Sequence, residues 1–326
     1  MDSFWNRLEK PFFVMAPMAD VTDPAYRSLI ANYGKPDVTW TEFVSADGLF
    51  HTREKKGMMD EENPLVRDLR YVEGERPVLA QFFGGDPATM EYAARYAVAE
   101  GFDGVDINMG CPVGNIVKQG AGSDLIKDPA LAKELIVAAV RGTEGKIPVS
   151  VKTRLGYNAI EYKEWLPHLL ETPIAALTLH LRTRKEMSLV PAHWELGQEI
   201  VAFCREHNGS VLLIGNGDIA SIAEGKRRAS EQGWDGLMLG RAIFGNPWVF
   251  AGKVPADLTK EERLASLLEL ARRFDAMRPR KHFALLKKHF KAFVAGYDGA
   301  AELRAALMET NSLGELEEAL ESRGLV

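Results

Sequence analysis

Eight short apolar runs recur between Phe12 and Arg241: Phe12–Met18, Val38–Phe43, Val78–Phe83, Gly104–Met109, Pro148–Leu155, Ala175–Leu181, Val211–Asp218 and Asp235–Arg241. Each is near-continuous in apolar residues, the pattern of strands covered on both faces. Between most of them lie amphipathic patterns of helical period with clear start signals. One begins at Thr22 or Asp23, with Pro24 in its first turn, and closes at Gly34; two more run over Asp86–Gly101 and Asp128–Gly142. Asp as cap, Pro at the first helical position and Gly after the end mark the last two. Strand and helix in alternation predict an α/β protein with a parallel sheet. Eight repeats in about 250 residues match a closed (β/α)8 TIM barrel. A doubly wound open sheet is the alternative, but its Gly-rich fingerprint after the first strand is missing.

Two segments stand outside this rhythm. From Ser45 to Pro77 the connection is long and dense in charge, as functional or mobile loops are. After Pro255 the strand signals stop. Thr259 followed by Glu262 reads as a capping box, and helical pattern continues to the C-terminus. The predicted division is a barrel over residues 1–255 and a small all-helical domain over 256–326. Within the tail, Arg272, Arg273, Arg278, Arg280, Lys281, Lys287, Lys288 and Lys291 face a single Asp275, interleaved with Phe274, Phe283, Phe290 and Phe293. A solvated helix face would carry such a run. The charge imbalance and the aromatics favour a polyanion-binding surface.

Composition narrows the class. With 46% hydrophobic and 26% charged residues, the 326-residue chain is of ordinary globular make-up. The charged start MDSFWNRLEK is unlike a signal peptide, and no apolar window is long enough to span a bilayer, so a cytoplasmic protein without a membrane partner is expected. A net charge of −6 argues against a globally basic nucleic-acid binder, though a local patch is compatible with it. The two cysteines, Cys111 and Cys204, build neither a disulfide framework nor a zinc site.

In a barrel, chemistry sits at the carboxyl ends of the strands. The runs end there in Pro17-Met18, Glu42, Gln81, Asn108, Lys152 with Arg154, His180 with Arg182, Asn216-Gly217-Asp218 and Gly240-Arg241, all expected at one mouth. The last two turns are Gly-rich and run into helical segments, where barrels commonly hold a phosphate. Lys152 lies inside an apolar run, where an unpaired ammonium is costly. It pairs with a carboxylate, faces a ligand or acts as a Schiff-base nucleophile. Cys111, between Gly110 and Pro112, is either a small buried hydrophobe or a reactive thiol at the end of the fourth strand. His180 by itself reads as a satisfied core histidine.

Taken together, Ala16-Pro17-Met18, Gln81, Asn108-Met109-Gly110-Cys111-Pro112, Val151-Lys152-Thr153-Arg154-Leu155-Gly156, His180-Leu181-Arg182-Thr183, Gly215-Asn216-Gly217-Asp218-Ile219 and Gly240-Arg241-Ala242 resemble, in order and spacing, the tRNA-dihydrouridine synthases. The resemblance covers nearly the whole chain. It implies an FMN-dependent enzyme reduced by NADPH or NADH, with hydride passing to C6 of a uracil and Cys111 as the general acid at C5. It places Pro17, Met18, Ala19, Gln81, Asn108, Lys152, His180, Asn216, Gly217, Asp218, Gly240 and Arg241 around the cofactor. Arg154, Arg182, Arg278, Arg280, Lys281, Lys287, Lys288 and Lys291 then meet tRNA, in a monomer without a metal. Two departures are Leu181, where the family is often small, and the loop Lys185–Trp194, which points to a reshaped substrate edge. The alternatives are a barrel enzyme acting on a small phosphorylated substrate through Lys152, and a flavin-binding RNA chaperone.

Overall fold

Eight parallel strands form one sheet in the computed structural model, which describes residues 3–325. They are β1 (Phe12–Met15), β2 (Thr39–Ser45), β3 (Val78–Phe83), β4 (Gly104–Met109), β5 (Val149–Arg154), β6 (Ala176–His180), β7 (Leu212–Asn216) and β8 (Gly236–Leu239). β2 to β8 pair each with the next, and β8 pairs with β1. A parallel bridge from Val14 to Val38, with Asp37 N–H donating to Phe13 O at 2.8 Å, closes the ring between β1 and β2. This is the expected (β/α)8 barrel, not a doubly wound open sheet.

Alternation sorts the side chains between two layers. Phe12, Val14 and Ala16 of the first run point inward with Trp40, Leu79, Ala176, Ile214 and Met238; Trp5, from a short helix at Phe4–Arg7, plugs the bottom of this interior. Phe13 and Met15 face outward into the larger core beneath the helices. The helices start where the caps predict: Pro24–Tyr33 after Asp23, Pro87–Ala99 after Asp86 and Pro129–Thr143 after Asp128, each Asp accepting a first-turn N–H. One expected end is corrected. Gly142 lies inside its helix, where an added Cβ would come within 2.3 Å of Glu91 O on the helix Pro87–Ala99. Glycine there lets two barrel helices touch backbone to backbone.

The segment Ser45–Pro77 is not an open loop. It folds into short helices at Ala46–Phe50, His51–Lys55 and Pro64–Leu69, secured by a buried Arg27–Glu75 ion pair of 2.8 Å and by Arg53 on Asp60 at 2.7 Å. Pairs within the segment, Arg53–Asp60, Arg67–Asp68 and Arg76–Glu73, take up part of its charge.

The tail opens with the capping box at Thr259 and Glu262 and runs through helices Lys260–Ala276, Lys287–Phe293, Ala300–Glu309 and Leu313–Glu321. It lies against the β1–β2 side. Tyr33 donates to Glu269 (2.6 Å), Arg273 to Ser28 (3.0 Å) and Arg70 to Arg278 O (2.7 Å). Phe274, Phe290 and Phe293 are buried in the core shared with the barrel helices, so three of the four interleaved aromatics serve packing, not a nucleic-acid face.

Candidate active site

The carboxyl ends of the strands surround a cavity of about 620 Å³, a size usual for cofactor pockets. Its wall contains Pro17, Met18, Asn108, Cys111, Lys152, Arg154, His180, Arg182, Asn216, Gly217, Asp218, Gly240 and Arg241, residues far apart in sequence that the barrel brings together. Phe43 and Phe244 line it as well and were not singled out from the sequence, and Ser188 joins them from the loop Lys185–Trp194.

Phe43 is there because of a bulge. The β2–β3 register shifts between Trp40 and Phe43, which breaks the alternation that Trp40 begins. Glu42 therefore leaves the mouth, correcting the expectation for that strand. It is buried beside the tail, where Lys281 Nζ donates to it at 2.7 Å. An unbroken alternation from Trp40 would select Glu42; only the ladder reveals the slip.

Behind the cavity a chain of hydrogen bonds sets the thiol loop. Asp106 is fully buried and accepts from Ser150 Oγ and from Gln81 Nε2, both at 2.6 Å. With its amide so oriented, Gln81 offers Oε1 to Asn108 Nδ2 at 3.0 Å. Asn108 Oδ1 is thereby left to accept Gly110 N–H at 3.1 Å and Cys111 N–H at 2.9 Å. Gln81 has no exposed surface and does not line the cavity. Its place is in support of Asn108, which corrects the expected direct contact with a ring. Ala19 is likewise absent from the wall, exposed in the turn beyond Met18.

Cys111 is 7% exposed, and burial raises its thiol above the ordinary value against the pull of Val113 N–H, Arg154 and Lys152. The thiol therefore stays protonated at neutral pH. Lys152, level with Asn108 in the ladder, reaches Asn216 Oδ1 at 3.1 Å. Burial, with Arg154 adding to it, brings its pKa down to about 8. Arg154 donates to Gly110 O (2.7 Å), Thr183 O (3.0 Å) and Met187 O (2.9 Å), so it ties the thiol loop to the loop after β6. His180 is held well below its usual range, first by burial and then by Lys152 and the arginines around it. Arg182 Nη1 stands 3.0 Å from its Nε2. A guanidinium only donates, so Nε2 accepts and the proton sits on Nδ1.

The last two loops depend on unusual backbone. Gly217 takes φ 131°, and a Cβ there would lie 2.7 Å from Ala192 Cβ. Asp218 follows with φ 53°, accepting Ala192 N–H at 2.9 Å and pairing with both Arg182 and Arg241. Arg241 remains 66% exposed over the mouth.

Of the tail cations expected to meet RNA, Lys281 is a correction. Its side chain is 3% exposed, and it is enclosed by Glu42, Asp68 and Asp20, so it fastens the tail to the barrel. Arg278, Arg280, Lys288 and Lys291 are exposed, and Lys287 is half-buried with Nζ on Met308 O at 2.6 Å.

A (β/α)8 barrel whose strand ends gather a thiol, a lysine and three arginines around one cavity has the architecture of a barrel enzyme. The family model described as dihydrouridine synthase (Dus) matches residues 14–324, and the chain belongs to that family. "Probable tRNA-dihydrouridine synthase" of Staphylococcus epidermidis is 41% identical over 325 residues, 98% of this chain and 96% of the relative. "Probable tRNA-dihydrouridine synthase 2" of Bacillus subtilis is 42% identical over 319 residues, 97% and 94% of the two chains. Among solved structures, histamine dehydrogenase from Rhizobium sp. 4-9 shares the fold, with a TM-score of 0.55 at 13% identity over 88% of this chain and 53% of the other.

Proposed function

We propose that this chain reduces uridine in tRNA with FMN as its flavin and NADPH as the reductant, Cys111 delivering the proton. As a dihydrouridine synthase it is a flavin-dependent oxidoreductase. The observation that carries the detailed reading is that Cys111 and Lys152 line one cavity together with the Asn216–Asp218 and Gly240–Arg241 loops.

The residues present fit an FMN. The cavity has the volume, and among the described residues Lys152 forms no ion pair, its hydrogen bond going to the Asn216 amide oxygen. A buried cation so placed suits an electron-rich ring edge, and the two loops with Arg241 suit a phosphate. A bound flavin would supply the hydride chemistry, between NADPH and uracil C6. Cys111 then closes the balance by giving its S–H proton to C5, so the C5–C6 double bond is lost and the thiol regains its proton from solvent. The Asp106–Gln81–Asn108 chain holds the loop that aims the thiol. His180, neutral and protonated on Nδ1, offers a donor inside the mouth, while Arg182 and Arg154 keep the adjoining loop in place. With tRNA as substrate the place of action is the cytoplasm; no helix among the described residues is long and apolar enough to cross a membrane.

The test is direct. Purified protein carries flavin absorbance, and Cys111→Ala retains it and is still reduced by NADPH, yet dihydrouridine formation falls by about 10²-fold or more, the scale of a lost general acid. Turnover equal to wild type in that variant removes Cys111 from the mechanism.

A further inference from the structure

Outside the cavity wall, the loops after β4, β5 and β6 bring three cations around one tyrosine. Lys127 Nζ lies 4.7 Å and the Arg184 guanidinium carbon 5.1 Å from the centre of the Tyr157 ring. Two backbone bonds join the β5 and β6 loops there, Arg184 N–H to Gly156 O and Lys185 N–H to Tyr157 O, both 2.9 Å. The nearby carboxylates are already engaged. Asp124 pairs with Lys127 at 2.5 Å, Glu161 accepts Tyr157 N–H at 2.6 Å, and Glu186 accepts Thr183 N–H at 2.7 Å and faces His193 at 2.9 Å. Arg184 has no carboxylate partner among the described residues, and its Nε is buried without a hydrogen bond. Lys185 is exposed beside it. Two cations on one ring, one of them unneutralised, form a repulsive arrangement that an anion relieves.

Position says which anion. In the closed ring, β5 is four strands from β1, diametrically opposite. The tail sits on the β1–β2 side, where Lys281 and Lys288 meet Asp20 in the loop after β1. The Tyr157 cluster and the basic tail thus flank the mouth at opposite ends of one diameter. None of Lys127, Tyr157, Arg184 or Lys185 lines the cavity, so a ligand confined to the cavity does not account for them. We propose that Arg184, with Lys185 and Lys127 around Tyr157, is a phosphodiester anchor that holds the RNA backbone across the mouth from the tail. This rests on the tRNA reading above.

The experiment uses the full-length, flavin-loaded protein and an unmodified tRNA transcript, with Kd measured by anisotropy between 50 and 200 mM salt. Arg184→Ala is expected to weaken binding severalfold at the low-salt end. The slope of log Kd against log salt becomes shallower by about 0.7–0.9, the loss of one phosphate contact. Arg184→Lys, which keeps the charge, restores most of that slope. NADPH-driven flavin reduction stays at the wild-type rate in both variants and reports an intact fold and cofactor site. Wild-type Kd and slope in Arg184→Ala overturn the anchor. So does slowed flavin reduction with unchanged tRNA affinity, which would give the cluster to the dinucleotide's phosphates. If the wild-type protein itself neither binds nor reduces tRNA, the activity reading fails and the anchor with it; if wild type does both and Arg184→Ala is unaltered, only the anchor fails.

Discussion

The Lys152 ammonium is half-buried in the cavity wall, and among the described residues its hydrogen bond goes to a neutral amide. Burial moves its pKa from 10.5 down to about 8, so the folded protein gives up this proton before the unfolded chain does. The cost of the charge is therefore fully present below pH 8 and is relieved as pH rises from 8 toward 10.5. Lys152→Met, which keeps length and removes charge, is expected to stabilise the flavin-free protein by on the order of 3 kcal/mol at pH 7. The gain shrinks above pH 8, while activity of the flavin-loaded variant drops. Denaturant unfolding at pH 7 and pH 9.5 checks both the sign and the window. A cation retained at such a cost is legible in sequence as an oddity in an apolar run. Its partner is not legible, because the acceptor, Asn216, is 64 residues away.

At the level of elements, caps and periodicity reproduce the helices well, because Asp followed by Pro acts locally on the first turn. Contacts between elements escape such reading. Gly142 looked like a helix end and is a point of contact between two helices. Gly142→Ala forces a methyl against the Glu91 carbonyl and is expected to cost roughly 1–3 kcal/mol, as overpacking does. A lowered Tm with unchanged activity per folded molecule is the measurable sign. The β2 bulge is similar: one extra residue exchanges Glu42 and Phe43 between the tail interface and the cavity, and nothing in TWTEFVS announces it.

For the whole molecule, the question is what keeps the tail on the barrel. Phe290 and Phe293 supply apolar burial, and Lys281 supplies charge to a pocket that otherwise holds Glu42, Asp68 and Asp20. Burial raises Glu42 to about 7, helped by Asp68 and Asp23 and opposed by Lys281. Its folded pKa is above the unfolded one, so the buried charge costs stability above pH 7 and that cost fades as pH falls from 7 toward 4.5. Lys281→Met removes the compensating cation. The expected loss is about 3–5 kcal/mol at pH 8, the range for a broken buried pair. It is distinctly smaller at pH 5, where Glu42 takes up a proton. Thermal unfolding at the two pH values, read with tRNA affinity, tests this docking role; an equal loss at both would remove Glu42 from it.

By itself the sequence determined the barrel, the helix starts, the onset of the helical tail and the strand ends on which Asn108, Lys152, His180, Asn216 and Arg241 stand. These follow from forces acting within a few residues: periodic burial, capping and the conformational limits of Pro and Gly. Only the tertiary structure decided which polar groups face the cavity and which face each other. Gln81 became a prop for Asn108, Lys281 a fastener of the tail, and Arg184 a cation on Tyr157 with no carboxylate to meet. A hydrogen bond or an ion pair is chosen by proximity in space, and a ring of eight strands makes neighbours of residues that the chain keeps far apart.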